Sequence, residues 1–242
     1  VVQVRIEERD NGKKKVNYIK KTNLHQSVHI TVKQKMIKLM FPAFVCVKEF
    51  LDKDSEQYPN MTREYFKILK DEMDNMRKLD PTGRNVSNSG GWQSNDGIES
   101  NPIFVKAYRT IKRVVTNELV PALGLEKNSF NVTMHNSWGN MNFNGNFNKP
   151  HLHNGCFYSG VMYIRADGDE GNLVFVDTNH KVAGVFPPNP IMKESEIYSP
   201  RTGDLYLFPS GLMHMVEPNL TNKTRYSISF NLEVNGGKRR ET

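Results

Sequence analysis

The change of hydrophobic period near residue 130 constrains this chain more than any other feature. Beyond it the sequence breaks into short β-type segments separated by turn residues. The segments are residues 130–134, 157–164, 173–176, 182–186, 204–208, 215–217 and 226–233. Between them stand Asp167-Gly168, Glu170-Gly171, Pro187-Pro188-Asn189-Pro190, Thr202-Gly203 and Pro218-Asn219. Helical patterning precedes this region. That order, helices and then seven or eight strands, predicts an α+β chain ending in a β-sandwich or jelly roll.

The helical stretches are two. Tyr65, Ile68, Leu69, Met73 and Met76 fall on one face of a 3.6-residue repeat. Phe104, Ala107, Tyr108, Ile111, Val114, Val115 and Leu119 repeat the pattern, and Pro121 is expected to close that helix. Both stripes read as core-facing. Between them runs Ser87-Asn88-Ser89-Gly90-Gly91-Trp92-Gln93-Ser94-Asn95-Asp96, too polar and glycine-rich for a regular element. Trp92 there reads two ways: as the anchor of a surface loop, or as the flat face of a loop capping a site. With Gln93 it is carried as a candidate substrate loop, and the asparagine-rich residues 140–148 are carried as a second part of the mouth.

The charge is unevenly placed. The 242 residues hold 33 basic and 26 acidic side chains, a net +7. Residues 1–40 hold ten basic and three acidic residues and so account for all of it. Residues 41–237 hold 20 basic and 22 acidic residues, and the tail 238–242 is basic again. The expected organisation is a basic arm (1–40), one folded domain (41–237) and a short basic tail (238–242). A balanced body gives a nucleic-acid partner little support. No apolar run approaches the ~20 residues a bilayer span needs, so no membrane partner is expected. The chain shows no secretory signal pattern, and Cys46 and Cys156 match no metal or disulfide spacing; a reducing, cytoplasmic setting is the expectation.

The chemistry-bearing residues are histidines. His25 and His29 lie in the basic arm, and His135 and His180 stand alone. His151-Leu152-His153 is different: on a strand, residues i and i+2 face the same side, so both imidazoles can reach one metal ion. His214 follows a strand and a turn, and Arg225 comes eleven positions later. In Thr224-Arg225-Tyr226-Ser227-Ile228, alternation puts Arg225 and Ser227 on one face and Tyr226 and Ile228 on the other. An inward Arg and Ser form a clamp for a carboxylate, and an interior Arg requires an anion.

Together these residues resemble the Fe(II)/2-oxoglutarate dioxygenases, whose order is His-x-(Asp/Glu/His), some sixty residues, His, about ten residues, then Arg-x-Ser. The sequence is most similar to the bacterial and phage-encoded oxygenase group with a His-x-His motif. The resemblance rests on residues 87–94, Trp138, Asn140, Gly145, His151, His153, Ser159-Gly160-Val161-Met162-Tyr163 and the stretch 208–231. It implies a double-stranded β-helix (jelly roll, cupin-like) core with N-terminal supporting helices. It assigns His151, His153 and His214 to Fe(II). Arg225 and Ser227 would hold the distal carboxylate of 2-oxoglutarate, with Tyr163 donating to it and Asn140 orienting the cosubstrate. With dioxygen, such an enzyme hydroxylates a C–H bond of a small molecule or a protein side chain. His153 stands where most relatives carry a carboxylate; a second register, His153-Asn154-Gly155, matches the pattern of the related halogenases. The alternative from another class is a metal-binding jelly-roll module without redox chemistry, binding a small acid or acting structurally.

Overall fold

The computed structural model describes residues 3–10, 13–20, 43–127, 130–178 and 193–236. The chain divides into two compact units, Val1–Pro42 and Ala43–Thr242. In the first, β1 (Gln3–Asp10) and β2 (Lys13–Lys20) pair antiparallel, with Asp10 opposite Lys13. A segment read as a basic arm therefore contains a hairpin. The alternating Val28, Ile30 and Val32, His25, His29, His180, the expected strand 182–186 and the tail 238–242 lie outside the described residues.

The second unit has two helical layers' worth of apolar surface and two antiparallel sheets. Its elements in order are β3 (Cys46–Glu49), α1 (Arg63–Leu79), β4 (Asn88–Ser89), β5 (Trp92–Gln93), α2 (Val105–Val114), β6 (Asn131–Asn142), β7 (Phe147–His151), β8 (Tyr158–Arg165), β9 (Leu173–Val176), β10 (Ser195–Tyr198), β11 (Asp204–Pro209), β12 (His214–Val216) and β13 (Arg225–Asn235). The larger sheet runs β3-β11-β8-β13-β6-β5 and the smaller β10-β9-β12-β7-β4. This is an α+β architecture with a jelly-roll-type core, as the sequence predicts.

Local chemistry sets the helix ends. Thr62 caps α1 by accepting the Tyr65 N–H at 3.2 Å, and Arg77 and Lys78 sit in its last turn, where they complement the helix dipole. Tyr65, Leu69 and Met73 are buried as the stripe predicts and Met76 is half-buried against the same core, whereas Ile68 is 44% exposed and Phe66, outside the stripe, is buried. The helical run that begins at Val105 ends at Ala122, beside Pro121 as expected. The helix widens into a π turn over Val115–Leu119 and ends in the short turn Val120–Ala122 that contains the proline. A proline lacks the N–H that an α turn requires, and the wider turn is one way a helix absorbs that loss.

The larger sheet is buried on both faces, and its period-2 alternation divides the molecule. Met162, Ile164, Leu205, Leu207, Tyr226, Ile228 and Phe230 point toward the helices and pack with Tyr65, Leu69, Met73, Ala107 and Ile111. Val161, Tyr163, Tyr206 and Phe208 point the other way and pack with Leu173 and Phe175 of the smaller sheet. Burying each large apolar side chain contributes roughly 1.5–3 kcal/mol, so the outer core fixes the sheet on which the inner face is displayed. Gly160 is required at one crossing: a Cβ there would lie 2.4 Å from the Phe230 ring and 2.8 Å from the Tyr206 carbonyl oxygen.

Candidate metal centre

Two strands and one loop bring three histidines together. His151 ends β7, His214 opens β12, and the two are register partners. Opposed residues of an antiparallel pair share a face, and the ring centroids lie 4.3 Å apart. His153 arrives differently from the expectation of strand alternation, because β7 has ended before it. Its backbone N–H donates to the Ser210 carbonyl at 2.9 Å, which ties the loop after β7 to the turn after β11. That tie swings the His153 ring to 5.1 Å from His151 and 5.2 Å from His214, nearly parallel to the latter. Trp138 of β6 backs it at 5.7 Å. Each histidine offers a ligand nitrogen, and these atoms lie within 4.8 Å of one another.

The histidines are prepared as ligands. Nδ1 of His151 lies 2.7 Å from the Lys149 carbonyl, and Nδ1 of His214 lies 2.8 Å from the Leu212 carbonyl. A carbonyl can only accept, so each Nδ1 carries the proton and each Nε2 presents a lone pair. Burial depresses all three basicities: His151 is lowered, His153 falls to about 4 and His214 to about 3. Neutral imidazoles are the form a metal takes. Among the described residues no carboxylate joins this group, and none lines the cleft beside it.

The cleft lies between the sheets and is partly open to solvent. Its wall on the larger sheet is built in rows by register. Ser227 of β13 pairs with Asn140 on one side and Tyr163 on the other; Arg225 pairs with Asn142; Ser229 pairs with Trp138 and Val161. All eight line the cleft, while Tyr226 and Ile228 face the helices, as alternation predicts. Asn148, Leu173 and Val216 of the smaller sheet close the opposite side, and Phe208 stands beside His214 at 4.7 Å.

Arg225 is 2% exposed. Its Nη1 donates to the backbone carbonyls of Glu170, Gly171 (3.2 Å) and Glu217 (3.4 Å), while its buried Nη2 has no partner. Burial lowers its basicity, and the same burial pushes the Tyr163 phenol up to about 12 against the opposing charge of Arg225. An unpartnered guanidinium donor in a buried cleft is suited to pair with an anion. Asn140 donates from Nδ2 to Ser229 Oγ at 3.0 Å and leaves its buried Oδ1 unpartnered. Amide orientation follows the network, so a ligand acceptor would favour the flipped amide, with Nδ2 toward the cleft and Ser229 donating to Oδ1.

Trp92 and Gln93 are not in this wall. Both are buried, and Trp92 belongs to the outer core, its indole N–H donating to the Asp80 carbonyl at 2.7 Å. Of the same loop it is Ser87 that reaches the cleft, where its Oγ accepts from Asn148 Nδ2, while Asn148 Oδ1 accepts from Asn142 Nδ2. Composition gives no hint of that exchange; the signal for Asn142 and Asn148 is the asparagine-rich run that contains them. His135 is outside the site, on the surface, 2.9 Å from Glu233.

Residues 136–231 match the family described as "Putative 2OG-Fe(II) oxygenase". The fold is similar to that of a prolyl-4-hydroxylase from Pseudomonas putida, with 17% identity, a TM-score of 0.51, and coverage of 79% of this chain and 93% of that one. It is similarly like HygX from Streptomyces hygroscopicus, a structure with nickel and 2-oxoglutarate bound: 12% identity, TM-score 0.51, and 79% and 83% of the two chains. No curated protein matches the chain by sequence.

Proposed function

We propose that this chain is an Fe(II)/2-oxoglutarate oxygenase that hydroxylates a C–H bond of a small molecule or a protein side chain; the match of residues 136–231 to that family, the similar fold and the three clustered histidines support the reading. One observation carries the reading: three imidazoles kept neutral by burial, two of them with Nδ1 tied to a carbonyl, share a cleft with a buried arginine that has an unpartnered Nη2. The donor set suits a first-row metal such as Fe(II), and the orphan Nη2 suits a carboxylate, so the residues fit both groups.

In this reading His151, His153 and His214 hold Fe(II), and Arg225 with Ser227 and Tyr163 grips the distal carboxylate of 2-oxoglutarate. Fe(II), 2-oxoglutarate and dioxygen together supply the oxidation, releasing succinate and carbon dioxide. The protein supplies placement and dryness. The Nδ1–carbonyl bonds fix the orientation of His151 and His214 before any metal arrives. Val161, Leu173 and Phe208 exclude water from the apolar side of the cleft, which strengthens the charge interactions of Arg225 within it. Asn140, Asn142, Asn148 and Ser87 form the polar side, where substrate would approach.

The test is uncoupled turnover: Fe(II), dioxygen and 2-oxoglutarate, no added substrate, with succinate measured. Succinate should form with the wild-type chain and vanish with His214→Ala. A metal-binding jelly-roll module without redox chemistry forms none under any condition, and that result would overturn the proposal.

A further inference from the structure

Arg225 is held by backbone, and that backbone is held by a buried ion pair. The carbonyls of Glu170, Gly171 and Glu217 form the cup around Nη1. Glu170 is 1% exposed, an unusual place for a carboxylate without a purpose. One of its oxygens accepts from Arg165 Nη1 at 2.5 Å, and the other accepts the Asp167 N–H at 2.7 Å. Arg165 Nη1 also donates to the Thr224 carbonyl at 2.9 Å, one residue before Arg225. Its Nη2 bonds Asp167 at 2.6 Å. The pair thus clasps both the 167–171 loop, which supplies two carbonyls of the cup, and the start of β13, which supplies the arginine. Gly171 completes the device. Its φ is +92°, and a Cβ there would lie 2.9 Å from Arg225 Nη1 and 2.4 Å from the Glu217 carbonyl oxygen.

We propose that Arg165 and Glu170 are positioning residues that aim Arg225 Nη2 into the cleft, and so set the preference for a dicarboxylic 2-oxo acid over a monocarboxylic one. This rests on the proposed function. By fixing Nη1 on three carbonyls they leave one donor of the fork free, already desolvated and pointed at the ligand. A charged donor loses much of its value when its geometry is loose, and the preorganised fork is what makes an arginine selective for a carboxylate.

The experiment uses the full chain loaded anaerobically with Fe(II). Affinities are measured for 2-oxoglutarate and for 2-oxobutyrate, which has the same 2-oxo acid head and no distal carboxylate. Glu170→Gln should weaken 2-oxoglutarate about tenfold, shift 2-oxobutyrate less than about twofold, and leave Fe(II) affinity unchanged. Arg165→Lys, which keeps the charge but has no second nitrogen to hold Asp167 while the first holds Glu170 and Thr224, should show the same selective loss, and it decides the matter if Glu170→Gln does not fold. Equal weakening of both acids, or no weakening of either, would overturn the positioning role. If the wild-type chain binds no 2-oxoglutarate, the proposed function falls and this inference falls with it.

Discussion

Replacing Arg225 by methionine separates a ligand-binding arginine from a structural one. Methionine keeps the apolar stem and deletes the guanidinium. In the metal-loaded protein without 2-oxoglutarate two effects oppose. Three carbonyls lose the Nη1 donor, at a cost of about 1–3 kcal/mol, while a buried charge with an unpartnered Nη2 disappears, which recovers a similar amount. Stability should therefore change by less than about 2 kcal/mol. Ligand response should change far more. At a 2-oxoglutarate concentration near 100 times its Kd, binding adds about 2.7 kcal/mol to the wild type, a rise in Tm of roughly 5–10 °C for a unit of this size. Losing a charge-assisted carboxylate contact costs about 1.5–3 kcal/mol, which brings the same concentration to between about 8 times and about half of the variant's Kd and cuts the rise to about half of the wild-type value or less. The assay is thermal unfolding of wild type and Arg225→Met under anaerobic Fe(II), with and without 2-oxoglutarate. Loss of more than about 4 kcal/mol without ligand, or an undiminished ligand response, would refute the reasoning and mark Arg225 as a structural ion.

Further predictions concern stability and the rejected loop. His153 and His214 have folded basicities depressed to about 4 and about 3 from an ordinary 6.5, so their contribution is present above about pH 6.5 and is lost as pH falls toward those values. Between pH 7 and 4.5 the metal-free wild type should lose on the order of 2 kcal/mol more than His214→Gln, measured from urea unfolding midpoints; parallel losses would contradict it. The comparison cancels the opposite contribution of Asp204, whose burial raises its pKa to about 6. Trp92→Phe should cost about 1–2 kcal/mol through the lost bond to the Asp80 carbonyl, with 2-oxoglutarate and Fe(II) affinities unchanged; a selective loss of ligand affinity would return Trp92 to the site.

The sequence exposes the parts of this molecule that obey a period. The α1 and α2 stripes, β8, β9, β11 and the alternation of Arg225 and Ser227 against Tyr226 and Ile228 follow from spacing, because burial on a helix or strand repeats. The elements that escape are short and polar or mixed in sequence: β3, β4, β5, β7 and β10 hold two to five residues each, without the continuous apolar run that marks β9. His153 reaches the metal site through a loop hydrogen bond to Ser210, which no strand rule contains. Trp92 reads from sequence either as a loop anchor or as a capping face, and its burial agrees with the anchor: Gly90 and Gly91, both at positive φ, let the chain turn and carry the ring inward. Glu170 is legible only as half of a Glu-Gly turn; that it is buried beneath Arg225 depends on Arg165 and Thr224, distant or uninformative in the pattern.

The central claim is that His151, His153 and His214 hold Fe(II) within reach of a 2-oxo acid clamped by Arg225. Its most direct measurement is anaerobic titration of the Fe(II)-loaded chain with 2-oxoglutarate, followed by visible absorption. The account predicts a weak charge-transfer band that saturates with 2-oxoglutarate in the wild type and is lost in His214→Ala. No band at saturating Fe(II) and 2-oxoglutarate, or a band untouched by His214→Ala, would contradict it.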